Sequence, residues 1–166
     1  MRYLLLGMCL VTSACGQLPS APSSSPHLSV ASGGASAVAG SDLPFKAAFS
    51  ATETVAGPLH NLTGEGKATH LGRFTITASF DVTPPPVSSA TGTATWTGAN
   101  GDQLLTSTAG TAVIAFPTAS ITETHTITGG TGRFADASGT LIVERLLNLQ
   151  SLASTATVTG RLTLEH

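Results

Sequence analysis

From Leu43 onward, apolar and polar side chains alternate along the chain. The clearest stretch runs from Phe74 to Val82, where every second residue is apolar and the others are threonine, serine or aspartate. A period of two predicts β-strands with one buried and one exposed face. Glycine- and proline-rich segments separate eight such stretches. The predicted strands are residues 43–55, 61–69, 72–82, 90–97, 102–116, 119–128, 138–148 and 153–165.

The pattern predicts an all-β fold, because no stretch between the strands shows a helical period. Short connections favour antiparallel neighbours, and eight antiparallel strands can close into a barrel. The interior of such a barrel is either filled by side chains or holds one small ligand. A two-layer β-sandwich is the alternative. A transmembrane barrel is disfavoured, because the polar faces are rich in threonine and aromatic residues make up 5% of the chain.

The N-terminus has the features of an export signal. One positive charge, Arg2, precedes an apolar run from Leu4 to Val11, which is too short to span a bilayer. The segment Leu10–Gly16 resembles a bacterial lipobox, with Thr12 at the position where leucine is usual. The resemblance implies a signal peptide at 1–14 and a new N-terminus at Cys15, with diacylglycerol on its thiol and an acyl chain such as palmitate on its amine. An ordinary secretory signal is the alternative.

Residues 15–42 are predicted to be a flexible linker, since they are rich in proline, serine and glycine and lack periodicity. The barrel domain is then 43–166. The lipid would anchor the protein outside the cytoplasm. Because Gly16 rather than aspartate follows Cys15, lipoprotein sorting rules favour the outer membrane in a host with two membranes.

The amino-acid composition of the chain argues against several classes of function. The net charge is −2 and only 10% of residues are charged, so no basic surface for nucleic acid is expected. The two cysteines are Cys9, within the signal, and Cys15, so the barrel has no thiol for a disulfide or a thiolate metal site. No catalytic or phosphate-binding motif is present. No cofactor and no metal are predicted.

The segment Ile127–Leu141 carries a family resemblance. It resembles the GGTGRF-x-x-A-x-G signature of the allene oxide cyclase barrel-like superfamily, which includes the dirigent proteins. Gly64–Thr75 is similar to the second and third strands of small secreted bacterial β-proteins. The resemblance implies a barrel and homo-oligomers; it implies no catalytic residues, because no position matches those of the plant enzymes. The motif residues are expected to shape a connection, with Phe134 plugging one barrel end and Gly139 permitting a bulge or a tight passage. These residues are Gly129, Gly130, Gly132, Arg133, Phe134 and Gly139.

Glu123 and His125 are the first candidates for catalysis, because they lie two residues apart and therefore share one face of a strand. That face points either into the barrel or to the surface. If it points to the surface, the intervening threonines point inward. A buried Glu123 needs a partner, and His125 or Arg145 could provide it. Glu53, near the end of the first strand where a barrel mouth lies, is the third candidate.

Three further residues are candidates for ligand binding. His70 has the parity of the small residues 64, 66 and 68, which leave space inside a barrel. Trp96 is the single tryptophan of the chain, and Arg145 interrupts a largely apolar strand. Because both faces of that strand are apolar, its outer face should be covered by the linker, a loop or a second subunit.

These observations predict a lipid-anchored barrel of the cell envelope that binds a small apolar molecule. One alternative is an isomerase or cyclase-like enzyme, which requires Glu53, Glu123 and His125 to converge on one pocket. Another is a purely structural lipoprotein, which requires a barrel without a pocket and a large apolar outer patch.

Overall fold

A computed structural model describes residues 40–165 as a closed antiparallel β-barrel. The strands follow one another in chain order, and β1 closes the barrel by pairing with β8. The predicted fold class is confirmed, and the sandwich alternative is wrong. The signal peptide, Cys15 and the linker up to residue 39 lie outside the described residues. The strands are β1 Ser41–Ala56, β2 Leu59–Ala68, β3 Gly72–Thr83, β4 Ser89–Gly98, β5 Gln103–Ala115, β6 Thr118–Gly130, β7 Ser138–Asn148 and β8 Ala153–Leu164.

Alternation along each strand decides which side chains enter the barrel. On β3, Phe74, Ile76 and Phe80 are buried, while the threonines between them are exposed. Burying one apolar face and leaving the other solvated is what a closed antiparallel sheet requires. All strand ends lie within two residues of their predicted positions. β1 begins at Ser41, two residues inside the predicted linker.

The barrel has two different ends. We call the end where β1 begins the closed end; it carries the connections at 69–71, 99–102 and 131–137. The opposite, open end carries the connections at 57–58, 84–88, 116–117 and 149–152. No helix within residues 40–165 has the length and apolarity to cross a bilayer.

Aromatic side chains fill the half of the barrel next to the closed end. Trp96 is fully buried, with its ring centroid 5.1 Å from that of Phe74 and 5.7 Å from that of Phe49. Phe45 meets Trp96 edge-on at 6.3 Å. Such pairs add roughly 0.5–1.5 kcal/mol each beyond their buried area. This half is therefore a packed aromatic core.

The glycine-rich motif forms the closed end. Gly132–Phe134 is a single turn of 3₁₀ helix, and the Phe134 side chain is fully buried. The Arg133 guanidinium lies 4.8 Å from the centroid of the Phe134 ring. Gly129 and Gly132 have positive φ, while Gly130 ends strand β6. The motif thus shapes and plugs the end of the barrel opposite the cavity described below.

Gly139 allows two strands to approach closely at the start of β7. Its φ is +132°, and a Cβ atom there would clash with the backbone carbonyl oxygen of Arg161 on β8. The pairing of β7 with β8 is regular at this point, so the tight passage rather than a bulge explains the glycine. A register shift lies instead between Leu105 and Thr106 on β5.

Candidate functional site

A cavity of about 130 Å³ lies inside the open end of the barrel. Its volume is close to that of an engineered apolar cavity of about 150 Å³ that holds benzene. Charged groups form one part of its lining, and the rest is mostly apolar or small. The residues around it are Glu53, His60, Phe80, Val82, Thr83, Pro84, Pro85, Ser88, Ser89, Ala90, Gly110, Thr111, Ala112, Ile114, Ala119, Ile121, Glu123, Arg145, Leu147 and Leu149.

Arg145 holds the two carboxylates of the cavity together. Its Nη2 donates a hydrogen bond to Glu123 Oε1 at 2.8 Å, and its Nη1 donates to Glu53 Oε1. All three side chains are at least 95% buried. A guanidinium suits this role because its planar fork offers several N–H donors in fixed directions. The result is a buried ion triad in the cavity lining.

The strand order explains how residues so distant in sequence meet. Glu123 on β6 and Arg145 on β7 are close neighbours, since Glu123 pairs with Val143 and Arg145 pairs with Ile121. Glu53 lies on β1, which is separated from β7 by β8. The inward residues of β8 at this height are Ser154 and Ala156. Because both are small, the Arg145 side chain has room to cross β8 and reach Glu53.

Gly110 on β5 makes room for Glu123. A Cβ atom at this position would lie 2.7 Å from Glu123 Cγ and 2.9 Å from the carbonyl oxygen of Thr122. Real Cβ atoms do not approach so closely. The absence of a side chain on β5 therefore lets the Glu123 carboxylate turn toward Arg145.

A histidine lies next to each of the two carboxylates. His60 Nδ1 lies 3.3 Å from Glu53 Oε2, and the His60 side chain is 22% exposed at the open end. His125 is fully buried behind Glu123, with Nε2 at 3.5 Å from Glu123 Oε2 and Nδ1 at 3.1 Å from the Thr106 hydroxyl. Among the described residues, His125 Nε2 has no well-aligned hydrogen-bond partner. His60 thus faces the entrance, whereas His125 faces the aromatic core.

The surroundings favour the charged forms of Glu123 and Arg145. Burial disfavours the charged form of Glu123, but His125 and Arg145 outweigh it and lower the pKa of this carboxyl. Burial likewise opposes the charge of Arg145, and Glu123 and Glu53 outweigh it, so the pKa of the guanidinium is raised. Two acidic side chains thus share one guanidinium in the cavity lining.

One polar atom of a cavity-lining residue, Arg145 Nε, has no hydrogen-bond partner in the described part of the protein. Buried polar groups of proteins are nearly always hydrogen-bonded, and losing a partner costs roughly 1–3 kcal/mol. An acceptor oxygen entering the cavity could satisfy the Arg145 N–H.

The structure places the predicted site residues in three environments. Glu53, Glu123 and Arg145 line the cavity. His125 is inside the barrel but does not line the cavity. The interior position of Glu123 and His125 settles the open question of which face points inward: the threonines of β6 lie outside.

Trp96 and His70 lie away from the cavity, so the structure does not support them as ligand-binding residues there. Trp96 is part of the packed aromatic core. His70 comes after the end of β2, in an exposed turn at the closed end, where its Nε2 lies 3.2 Å from the carbonyl oxygen of Pro44. Parity along β2 does not apply to it, because the strand ends at Ala68. His70 therefore does not approach Glu123.

His60 was missed by the sequence analysis. It shares the parity of Leu62, which is buried, and it lies just after the tight turn at Gly57–Pro58. This turn sets Val55 opposite His60 and so brings the Glu53 side chain, two residues earlier, next to the imidazole. The parity of His60 along β2, combined with the register of the β1–β2 hairpin, was the signal that could have identified it. Within the described residues, no group of three His, Cys, Asp or Glu side chains could hold a metal ion.

Comparisons with known proteins show the fold. No family profile matches the sequence, and no curated protein matches it. Among solved structures, the pterocarpan synthase dirigent protein has a similar fold, with a TM-score of 0.58 and 12% sequence identity over 76% of this chain and 92% of that one. The barrel is therefore dirigent-like in architecture. At this level of identity the similarity shows the fold alone.

Proposed function

We propose that the protein is a lipid-anchored barrel of the bacterial cell envelope that binds a small, largely apolar, uncharged ligand in the cavity of its open end. The observation that carries the proposal is the cavity itself, an apolar space with one buried ion triad. Ligand sites of proteins commonly combine apolar walls with a few well-placed polar groups. The mouths of β-barrels are frequent places for such sites.

The charge of the triad argues for a neutral ligand. Arg145 is already hydrogen-bonded to Glu53 and Glu123, so an anionic ligand would meet two acidic side chains whose guanidinium partner is taken. Transfer of an unpaired charge into a buried site is costly. A neutral molecule with one oxygen acceptor fits better, because the Arg145 Nε–H has no partner among the described residues.

Lipid anchoring rests on the segment Leu10–Gly16 and its resemblance to a lipobox. Multiple acylation of one cysteine is a stable anchor, whereas a single acyl chain binds a membrane only marginally. Mass spectrometry of the protein extracted from membranes tests this directly. We expect a mature N-terminus at Cys15 carrying acyl chains, and Cys15→Ser should abolish both the cleavage and the lipid.

Native mass spectrometry of the same extract tests the ligand. We expect a bound neutral molecule in the wild-type protein, lost in Ala112→Leu, which fills the cavity from β5. The matched control is Ala109→Leu, because Ala109 lies on the outer face of the same strand. Equal retention by both variants would contradict a ligand in this cavity.

A second candidate function is an isomerase or cyclase-like reaction on the bound molecule. It is favoured by the convergence of Glu53 and Glu123 on one cavity, beside a histidine that faces the entrance. Glu53 and His60 would exchange a proton with the substrate, while Glu123 would remain ionised next to Arg145. The comparable dirigent protein is described as a pterocarpan synthase. The test is Glu53→Gln, which should still bind the co-purifying molecule but no longer convert it.

The expectation of a purely structural lipoprotein has less support. It required a barrel without a pocket, whereas the open end contains a cavity. Homo-oligomers also remain a proposal; Ile142 and Leu146 on the outer face of β7 are exposed and would suit a modest apolar contact.

A further inference from the structure

The open end of the barrel is apolar and carries no charge on its surface connections. Among the described residues, six of the nine exposed large hydrophobic side chains lie at this end. We call them the apolar rim: Val55, Leu59, Val87, Val113, Ile114 and Phe116. Phe116 is 74% exposed and Val113 is 73% exposed.

The rim is assembled from three separate connections around the barrel. Val55 and Leu59 flank the turn between β1 and β2, and Val87 lies between β3 and β4. Val113, Ile114 and Phe116 belong to the hairpin between β5 and β6. Ile114 also lines the cavity, so the rim surrounds the entrance. Six exposed apolar side chains converging on one end form a patch of the kind that marks an interaction site.

Most exposed charges lie toward the other end, although Asp81 on β3 pairs with Leu59 of the rim. Residues 54–60, 82–91, 111–121 and 147–154, which form the open end, contain no Asp, Glu, Lys or Arg. The closed end, in contrast, is charged on all sides. Its charged residues are Asp42, Lys46, Lys67, Arg73, Asp102, Arg133, Asp136, Arg161 and Glu165. The connections of the open end thus offer a partner apolar side chains and no charge of their own.

We infer that the apolar rim inserts into the surface of a lipid bilayer, so that the cavity opens onto the acyl chains rather than onto water. A fluid apolar phase can contact three separate turns at once without a complementary shape. A protein partner would instead need a surface complementary in shape to all three turns. The absence of Lys and Arg indicates insertion between neutral lipids, with no requirement for anionic headgroups.

The point at which β1 begins is compatible with this orientation. β1 begins at the closed end, so an anchor at Cys15 would be attached on the side opposite the rim. About 25 residues separate Cys15 from β1, and a segment of this length reaches up to about 85 Å when extended. A barrel with strands of this length is only about 35 Å high. The rim can thus reach the bilayer that holds the anchor. Insertion of the apolar rim into a bilayer does not require a ligand in the cavity.

A residue-specific fluorescence measurement on the full processed chain tests this orientation. The protein is reconstituted into phosphatidylcholine vesicles, with tryptophan introduced at the rim by Phe116→Trp. The controls are Leu146→Trp on the outer wall and Ala99→Trp at the closed end, both exposed positions. Trp96 is fully buried in the native barrel, so its signal is subtracted with the wild-type protein.

Brominated phosphatidylcholine should quench the emission of the rim tryptophan in Phe116→Trp by about half, with a blue shift, and should affect the two controls much less. Adding Val113→Asp to Phe116→Trp should remove the quenching, whereas adding Leu146→Asp should not. Neither result should depend on salt. Quenching confined to Ala99→Trp would overturn the inference, because it would show the closed end at the membrane. A blue shift of the rim tryptophan that grows with protein density and ignores bromine would also overturn it and would identify a second copy as the occupant.

Discussion

Arg145 on β7 and Glu53 on β1 form an ion pair across strand β8, although 92 positions separate them in the sequence. The contact exists because the barrel is closed: β8 lies between the two strands and presents small residues inward. Glu123 completes the triad from the other side of Arg145. Assembly of the site therefore requires closure of the barrel.

Replacing Arg145 should destabilise the protein strongly. Arg145→Met leaves two buried carboxylates without their cation, and breaking a buried ion pair costs about 3–5 kcal/mol. Chemical denaturation should show this as a lower midpoint with an unchanged slope. Combining Arg145→Met with Glu53→Gln and Glu123→Gln should restore most of the loss, because no unpaired charge remains. A triple variant as unstable as the single one would show that packing, not charge, is responsible.

Acid should weaken the fold through Glu123. Its pKa is lower in the folded barrel than the ordinary value of 4.5, so the unfolded chain takes up a proton first as the pH falls. The stabilisation is present above pH 4.5 and is lost progressively below it. Denaturation midpoints between pH 7 and pH 3 should fall for the wild type. They should fall less steeply in Glu123→Gln, and identical slopes would contradict this assignment.

The sequence predicted the barrel well because alternation depends on a local property, the two faces of a strand. It also named Glu53, Glu123 and Arg145 as candidates, since charged residues at inward parity are conspicuous in a chain with so few charges. It did not name His60, and it placed His70 by its parity with the small residues of β2, although that strand ends at Ala68. Both depend on where β2 begins and ends, which hairpin register sets and composition does not.

The position of the cavity could not be predicted from the sequence at all. It depends on how the volumes of inward side chains from all eight strands add up at each height. Trp96 and Phe134 fill one half of the barrel, while Gly110 and Ala112 leave the other half open. Only the strand register shows which of these residues lie at the same height along the barrel axis.

The buried ring of Phe134 should contribute strongly to the stability of the closed end. Phe134→Ala removes a fully buried ring and should cost about 3–5 kcal/mol in unfolding free energy. The neighbouring exposed residue provides the control, since Arg133→Ala should cost no more than about 1 kcal/mol. If the two variants unfold at the same denaturant concentration, Phe134 is not the plug of the barrel.

Filling the cavity should affect ligand binding and leave the fold intact. Ala112→Leu places a larger side chain in the cavity, whereas Ala109→Leu places the same side chain on the outer wall. Circular dichroism should show β-structure in both variants. The affinity for a small aromatic alcohol, measured by calorimetry, should drop about tenfold or more only in Ala112→Leu.

The most direct test of the ligand site is a methyl NMR titration of the detergent-solubilised, processed protein with benzyl alcohol and, separately, with benzoate. The two molecules are similar in size and differ in charge. Benzyl alcohol should shift the methyl signals of Ala112, Ile121 and Leu147 in a saturable manner, leaving Ile76 in the closed half unchanged, and benzoate should have little effect. The account is contradicted if neither molecule shifts the cavity signals, or if benzoate binds as well as the alcohol.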